Sequence, residues 1–469
     1  MRSWIDPRGT PPGCRLRRVA DGTRPAMTRL PTPEEQVRRD EPRNAKLYTI
    51  DGVCWWVGTA FTDAATVLPA FLSQLGGSNA LIGLLTGFRT GGYLLPQLAV
   101  AHYVERWQRK KPLVVVNSLV QRLALLAIAL LVLRHALASP SLVLGWFVAL
   151  YMIACVSEGV NAVPWTDILA KSVHPLRRGR LYGRMQSWGG LLAFAAGYGV
   201  HRILTHPRLP YPGNYALLFA LTAVAYAGSY AAFLLVREPV LAVDDSPRPS
   251  LAGFLGRLPG LWRSSPDFAR LAVCRVLLGF SHLPAPFYVL YSVQALGLGP
   301  GVVGLYIACQ MAGNVGGGLL WGRLGDSRGN RAVIRLVCLC AIASPALALA
   351  AGQGYAGLPP ATLFMLVFVF LGLTYAGAWI GFTNYLLELV PAARRPSYLG
   401  LLNTLAGPAS LLPAAGGLVV DVVGYKVLFG LSALVLVVAG SRSLALREPR
   451  QDRVGAAEKP TGGAVADCP

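Results

Sequence analysis

Runs of roughly twenty apolar residues recur about a dozen times between residues 48 and 446, and no other feature constrains the fold as strongly. A helix rises ~1.5 Å per residue, so each run is long enough to cross a hydrocarbon core of ~30 Å. Strands of a membrane barrel would read as alternating segments of ~10 residues, which are absent. A soluble α/β fold accounts for one or two continuous apolar runs but not for a dozen. Charge content agrees: 14% of the 469 residues are charged and 54% are apolar, whereas about a quarter of a soluble domain is charged. The sequence predicts an all-α membrane protein with twelve transmembrane helices.

The spans fall near 48–73, 79–102, 112–134, 141–169, 182–205, 214–236, 268–294, 299–321, 332–352, 360–388, 396–421 and 424–445. Basic residues set their direction, because cytoplasmic loops retain Lys and Arg. With the N-terminus in the cytoplasm, that side holds 36 Lys/Arg and the opposite side four: Arg134, Arg202, Arg208 and Lys426. Arg89, Arg122 and Arg275 lie within spans. The bias places both termini in the cytoplasm and requires an even number of spans. The net charge of +21 is thereby assigned to membrane orientation. No basic reading helix or base-stacking motif accompanies it, so no nucleic-acid partner is expected.

Residues 1–47 carry eleven basic residues and no apolar run. They read as a disordered cytoplasmic tail rather than a cleaved leader, with Met27 as an alternative start. A second tail covers 447–469. The linker 237–267 separates two sets of six spans. It places Leu251, Phe254, Leu255, Leu258, Leu261 and Trp262 at helical spacing, as in a short amphipathic helix on the membrane surface. Six of the eight cysteines lie in spans without metal-ligand or redox spacing, so packing is their expected role and no metal or cofactor is implied.

The halves 48–236 and 268–446 repeat each other. At an offset of 221, Leu75-Gly76 matches Leu296-Gly297, Gly83 matches Gly304, Glu105 falls on Asp326 and Lys110 on Arg331. At 217, Val173-His174-Pro175-Leu176-Arg177-Arg178 matches Val390-Pro391-Ala392-Ala393-Arg394-Arg395, and Gly183 matches Gly400. A duplicated six-span unit is a known transporter architecture, with the solute site between the halves.

The loop after the eighth span reads Trp321-Gly322-Arg323-Leu324-Gly325-Asp326-Ser327-Arg328-Gly329-Asn330-Arg331. It resembles the signature loop of the major facilitator superfamily. The first-half copy keeps Glu105, Lys110 and the basic cluster but has lost both glycines. The resemblance covers about 48–446 and implies two pseudo-symmetric six-helix bundles, with the signature loops latching the halves on the cytoplasmic side. From the residues themselves, Gly322 and Gly329 suit a tight turn, and Asp326 suits a helix N-terminus. Arg331 suits a carboxylate such as Glu388.

Charges at mid-span depth cost ~2.5–3.5 kcal/mol each on insertion scales, so they pair or line an aqueous path. The first half holds Asp63, Arg89, Arg122 and Glu158, which suggests at least one internal ion pair. Spans one and four border the central cavity in the superfamily, so the resemblance makes Asp63 and Glu158 the leading proton-coupling acids. Arg89 suits an acid or an anionic solute, and Arg122 a structural partner. Arg275 and His282, further candidates for the transport and proton-coupling path, lie one above the other on span seven, followed by Pro284 and Pro286, which predict a broken helix. Asp51, Asp167 and Glu388 fall near cytoplasmic ends, where they would pair with loop arginines.

Together these features predict a secondary transporter of a small solute, working by alternating access as a monomer in a bacterial cytoplasmic membrane. Proton-coupled export is the first expectation; proton-coupled or facilitated uptake of a metabolite such as a sugar is the alternative. A membrane-embedded enzyme or sensor is the competing class. Its catalytic cluster or soluble domain is not evident, since the six histidines are scattered.

Overall fold

The structure, a computed structural model, describes residues 33–104, 107–239, 260, 265–353, 357–390 and 395–448. Every regular element among them is helical. The first half contains α1 (Pro33–Phe61), α2 (Val67–Gln74), α3 (Asn79–Val104), α4 (Lys111–His135), α5 (Pro140–Ser172), α6 (Pro175–Leu204) and α7 (Gly213–Leu234). The second contains α8 (Pro266–Leu278), α9 (Ala285–Leu290), α10 (Val302–Arg328), α11 (Asn330–Ala351), α12 (Pro360–Leu389), α13 (Arg395–Ala406), α14 (Leu412–Val423) and α15 (Tyr425–Leu444).

Nine segments among the described residues are long and apolar enough to cross a membrane: α4, α5, α7, 266–295, α10, α11, α12, 401–423 and α15. Helices α1, α3 and α6 pack among them. Val116, Leu119, Leu123, Leu130 and Leu133 stand exposed along α4, as do Leu431 and Leu434 on α15. So much outward apolar surface suits lipid rather than water.

Three rods are broken, each for a local reason. Between α1 and α2, the Asp63 carboxylate accepts from the Ala65 amide (3.0 Å) and the Thr66 hydroxyl (2.8 Å), so a side chain replaces the helical ladder there. The prolines of span seven yield a 3₁₀ turn at Gly279–His282, then α9 and a π turn at Tyr291–Ala295, the broken helix that they predict. Gly407-Pro408 likewise gives a 3₁₀ turn at Gly407–Leu411 between α13 and α14.

One end of the bundle, where α1 begins and α15 finishes, is here called the tail end. The disordered tail expected over 1–47 is corrected over 33–47, which are the first turns of α1. These polar turns have partners. Glu41 accepts from the His174 amide at 3.2 Å and from Arg177 at 3.3 Å. Asn44 exchanges hydrogen bonds with the Arg237 backbone at 3.0 Å each, and Asp40 pairs with Arg237 at 2.8 Å. The amphipathic segment expected at 251–262 lies outside the described residues except for Gly260, and Glu105 lies outside them too.

Both halves fasten their tail ends alike. Glu238, just after α7, accepts from the backbone amides of Lys110 and Lys111 at 2.8–3.1 Å. The Lys111 ammonium in turn donates to the carbonyls of Leu234 and Val236 at 2.6 and 2.8 Å. In the second half Arg335 donates to the carbonyls of Ser443 and Leu444 at 3.4 and 2.9 Å, and Glu448 pairs with Arg331 at 3.6 Å. Helix ends carry partial charges that such side chains complement. The acids belong to a further repeat, Arg237-Glu238-Pro239 and Arg447-Glu448-Pro449.

At the far end the halves meet backbone to backbone, with α3 along α14 and α6 along α10. The glycines paired by the 221 offset do equivalent work here. Gly76 and Gly297 both take positive φ, +79° and +67°, which a side chain would strain. A Cβ at Gly83 would strike the Pro413 carbonyl, and one at Gly304 the His201 backbone nitrogen. Asn79 bonds Asp421 at 2.7 Å, Gln294 bonds Ser73 at 2.6 Å, and the His201 ring lies 2.7 Å from the Gly301 carbonyl oxygen. Polar contacts thus reinforce a seal that small residues permit.

Candidate functional site

Inside the first half, one polar network links helices α1, α3, α4, α5 and α7. Arg89 grips Glu158 with both guanidinium arms, at 2.9 and 3.0 Å, a two-pronged geometry that fixes both side chains. The same carboxylate accepts from the Trp55 indole at 3.2 Å and from Gln121 at 3.3 Å. Gln121 also accepts from Arg122 at 2.7 Å. Arg122 continues to the Tyr226 and Ser118 carbonyls and to the Ser229 hydroxyl at 3.1–3.3 Å, with its guanidinium beside the rings of Tyr226 and Tyr230. Ser229 donates to Asp51 at 2.5 Å, and the Trp165 indole to the other Asp51 oxygen at 2.8 Å.

Two acids and two bases therefore balance in one chain of contacts from Arg89 to Trp165. Asp51 differs from Glu158 in one respect. Among the described residues its direct partners are neutral, while Glu158 faces a cation. A second branch runs from Asn117 to Asn161 (3.0 Å) and from Asn161 to Ser118 (3.0 Å).

The network borders a cavity of ≈ 310 Å³ that every rod of the first half lines. That volume is in the range of small-molecule sites. Trp55, Trp56, Trp165, Tyr182 and Phe233 supply flat apolar walls; Asp51, Gln121, Glu158 and Asn161 supply polar edges. Val114 and Phe233 lie within a turn of helix termini at the tail end, so the cavity runs from mid-depth toward that end. The solute site was expected between the halves, whereas this cavity is lined, among the described residues, by the first half.

Other expected residues fall elsewhere. Asp63 is buried in its turn and does not line the cavity. Asp63→Ala should lower stability by about 1 kcal/mol through the lost turn acceptor, whereas Asp63→Asn should retain both stability and transport. Thermal unfolding and flux check this; loss of proton-driven flux in the Asn variant would restore Asp63 to the coupling path. His282 stacks on Tyr375 with ring centroids 5.2 Å apart, and Arg275 lies over Phe382 at 5.4 Å. Neither borders the cavity.

The signature loop is corrected in two details. Gly322 lies inside α10, which continues to Arg328, and the turn is made by Gly329 alone at φ +83°. Arg331 pairs with Glu448 and not with Glu388, which instead accepts from Asn330 at 2.9 Å. Asp326 is exposed on the last turn of α10. On the other half Lys110 pairs with Asp167 at 2.8 Å.

Sequence reasoning missed the aromatic walls and the neutral partners of Asp51. Their signal was spacing: Asp51 and Trp55, Gly52 and Trp56, and Tyr182 and Gln186 each stand four residues apart on one helical face.

The sequence matches the family model described as Major Facilitator Superfamily over residues 54–345 and 271–466. No curated protein matches it by sequence. Solved structures of the same fold include a D-xylose-proton symporter, at 16% identity, TM-score 0.66, covering 87% of this chain and 98% of that one. A bacterial homologue of the iron transporter ferroportin in an inward-facing state aligns at 15% identity, TM-score 0.65, covering 88% and 98%. The nucleoside transporter NupG aligns at 13%, TM-score 0.64, covering 87% and 98%. At these identities the likeness concerns the fold.

Proposed function

Since the chain belongs to the major facilitator superfamily, we propose that it exports a small polar solute with a flat apolar face, driven by protons. Membership makes it a multi-pass membrane transporter of a small solute rather than an enzyme. Beyond that, α1–α2, α3 and α6 join the nine apolar spans to make twelve, in a bacterial cytoplasmic membrane with both termini inside. On this reading the chain acts as a monomer.

The observation that carries this reading is the balanced network of Arg89, Glu158, Gln121, Arg122, Ser229 and Asp51 beside an aromatic cavity. Charges cost too much at this depth to serve as packing alone where uncharged residues would do. A proton arriving on Glu158 weakens its grip on Arg89 and frees the guanidinium. Asp51, held by the neutral donors Ser229 and Trp165, offers a second proton acceptor in the same network. The aromatic walls bind the solute's face and the amides of Gln121 and Asn161 its polar edge. With the far end sealed, the geometry supports a state open toward the cytoplasm, and rocking about the far-end contacts would expose the site outside.

Uptake of a sugar-sized metabolite is the second reading, favoured by indole walls beside amides and by the fold's likeness to a D-xylose-proton symporter. A thermal-shift screen of purified protein across amphiphilic solutes and sugars tests the site. A true ligand should stabilise the wild type and quench tryptophan fluorescence, and Asn161→Ala should weaken it by roughly fivefold to tenfold, the worth of one hydrogen bond. A ligand whose binding ignores both Asn161→Ala and Trp56→Leu sits elsewhere. Inverted and right-side-out vesicles under an imposed pH gradient then decide direction.

A further inference from the structure

At the tail end of α4 lies a second pocket, of ≈ 450 Å³, which shares no residue with the solute cavity. Arg109, Lys111, Val115, Val236, Arg237 and Glu238 line it. Its one acid is committed: the Glu238 oxygens accept from the Lys110 and Lys111 amides. Three cations remain around the opening. Arg109 is exposed. Arg237 touches Asp40 through one arm, with 54% of its side chain exposed. The Lys111 ammonium gives two of its donors to the end of α7 and has a third to offer.

An apolar track leads away from this pocket along the bundle's outer face. Val116, Leu119, Val120 and Leu123 follow one another on α4 at i, i+3, i+4 and i+7, each between 42% and 65% exposed. Such spacing makes one continuous stripe, and Leu235 is exposed beside the end of α7. Trp107, exposed next to the pocket, is the residue type that favours the headgroup level of a bilayer.

We propose that this pocket binds the phosphate headgroup of an anionic glycerophospholipid, with an acyl chain along the α4 stripe. A basic pocket between helices at the membrane interface suits such a headgroup. A soluble phosphate would use the cations and leave the stripe idle. The occupied site clamps the start of α4 to the end of α7, the junction that Glu238 and Lys111 already tie.

The full chain in neutral detergent is titrated with dioleoyl phosphatidylglycerol, and in parallel with dioleoyl phosphatidylcholine, while thermal unfolding is followed. Phosphatidylglycerol should stabilise it saturably and phosphatidylcholine should not. The double variant Arg109→Gln, Arg237→Gln should bind phosphatidylglycerol about 30-fold more weakly, from about fivefold per surface cation. If that variant misfolds by gel filtration, Arg109→Gln alone should show the fivefold loss, since Arg109 is exposed. Equal response of variant and wild type overturns the proposal. So does equal stabilisation by phosphatidylcholine, or by sn-glycerol 1-phosphate at matched concentration, the latter marking a site for soluble phosphate.

Discussion

Glu158→Gln should reduce proton-driven transport in proteoliposomes by at least about 100-fold. Two effects converge on this position. The variant cannot take up or release a proton, so an imposed pH gradient loses its handle. It also leaves Arg89 facing a neutral amide, although the guanidinium was held by both carboxylate oxygens. Removing one partner of a buried pair costs about 3–5 kcal/mol, most of it from the stranded charge. The two effects separate in the double variant Glu158→Gln, Arg89→Gln. With no stranded charge, thermal stability should return to within about 1–2 kcal/mol of the wild type, while proton-driven flux stays lost. Solute exchange without a gradient should survive in the double variant if the cavity walls alone bind solute. A single variant with wild-type proton-driven flux would remove Glu158 from the coupling path, and parallel measurements on Asp51→Asn would show whether its neutral surroundings mark the alternative site.

What the sequence disclosed follows from how residues stand out against their surroundings. Glu158, Arg89 and Arg122 interrupt apolar runs and are visible at once, and the structure brings all three into one network. Pro284 and Pro286 announce a broken helix because a ring without an amide donor admits few backbones. Gly76 and Gly297 became informative only through the repeat, which paired two turns that later proved to share positive φ.

Other features were hidden for equally physical reasons. Trp55, Trp56 and Phe233 read alike whether they face lipid, core or cavity, so apolar sequence cannot reveal a pocket wall. Asp51 was expected to meet loop arginines, but α1 begins at Pro33 and presents Asp51, eighteen residues on, to the Ser229 hydroxyl and the Trp165 indole. Asp63 has a structural role that the sequence did not suggest. An acid in an apolar run suggested chemistry, but its carboxylate serves the turn that joins α1 to α2. Glu448 was missed as Arg331's partner because it follows the last span, far along the chain from the loop it fastens.

Gly304→Leu should abolish turnover while leaving a folded protein, and Gly83→Leu should do the same from the other interface. Both glycines lie where the halves meet at the far end, with the partner backbone occupying the space a side chain needs. Neither neighbour is the tip of a flexible side chain: His201 meets Gly304 through its backbone, and Pro413 meets Gly83 through its carbonyl. Relief therefore requires α10 to part from α6, or α3 from α14. Overpacking of this kind costs about 1–3 kcal/mol in a core and is felt only in the sealed state, which shifts the balance toward far-end opening by roughly 5- to 150-fold. The measurement is labelling of Gln121→Cys, inside the cavity, by a membrane-impermeant maleimide applied to the far side of oriented vesicles. Labelling should rise by about that factor in each glycine variant. Both variants should rise alike, because the repeat gives the two interfaces the same construction. If Gly304→Leu transports at the wild-type rate, or labels only from the tail side, the far-end contacts do not form the seal and the rocking axis lies elsewhere.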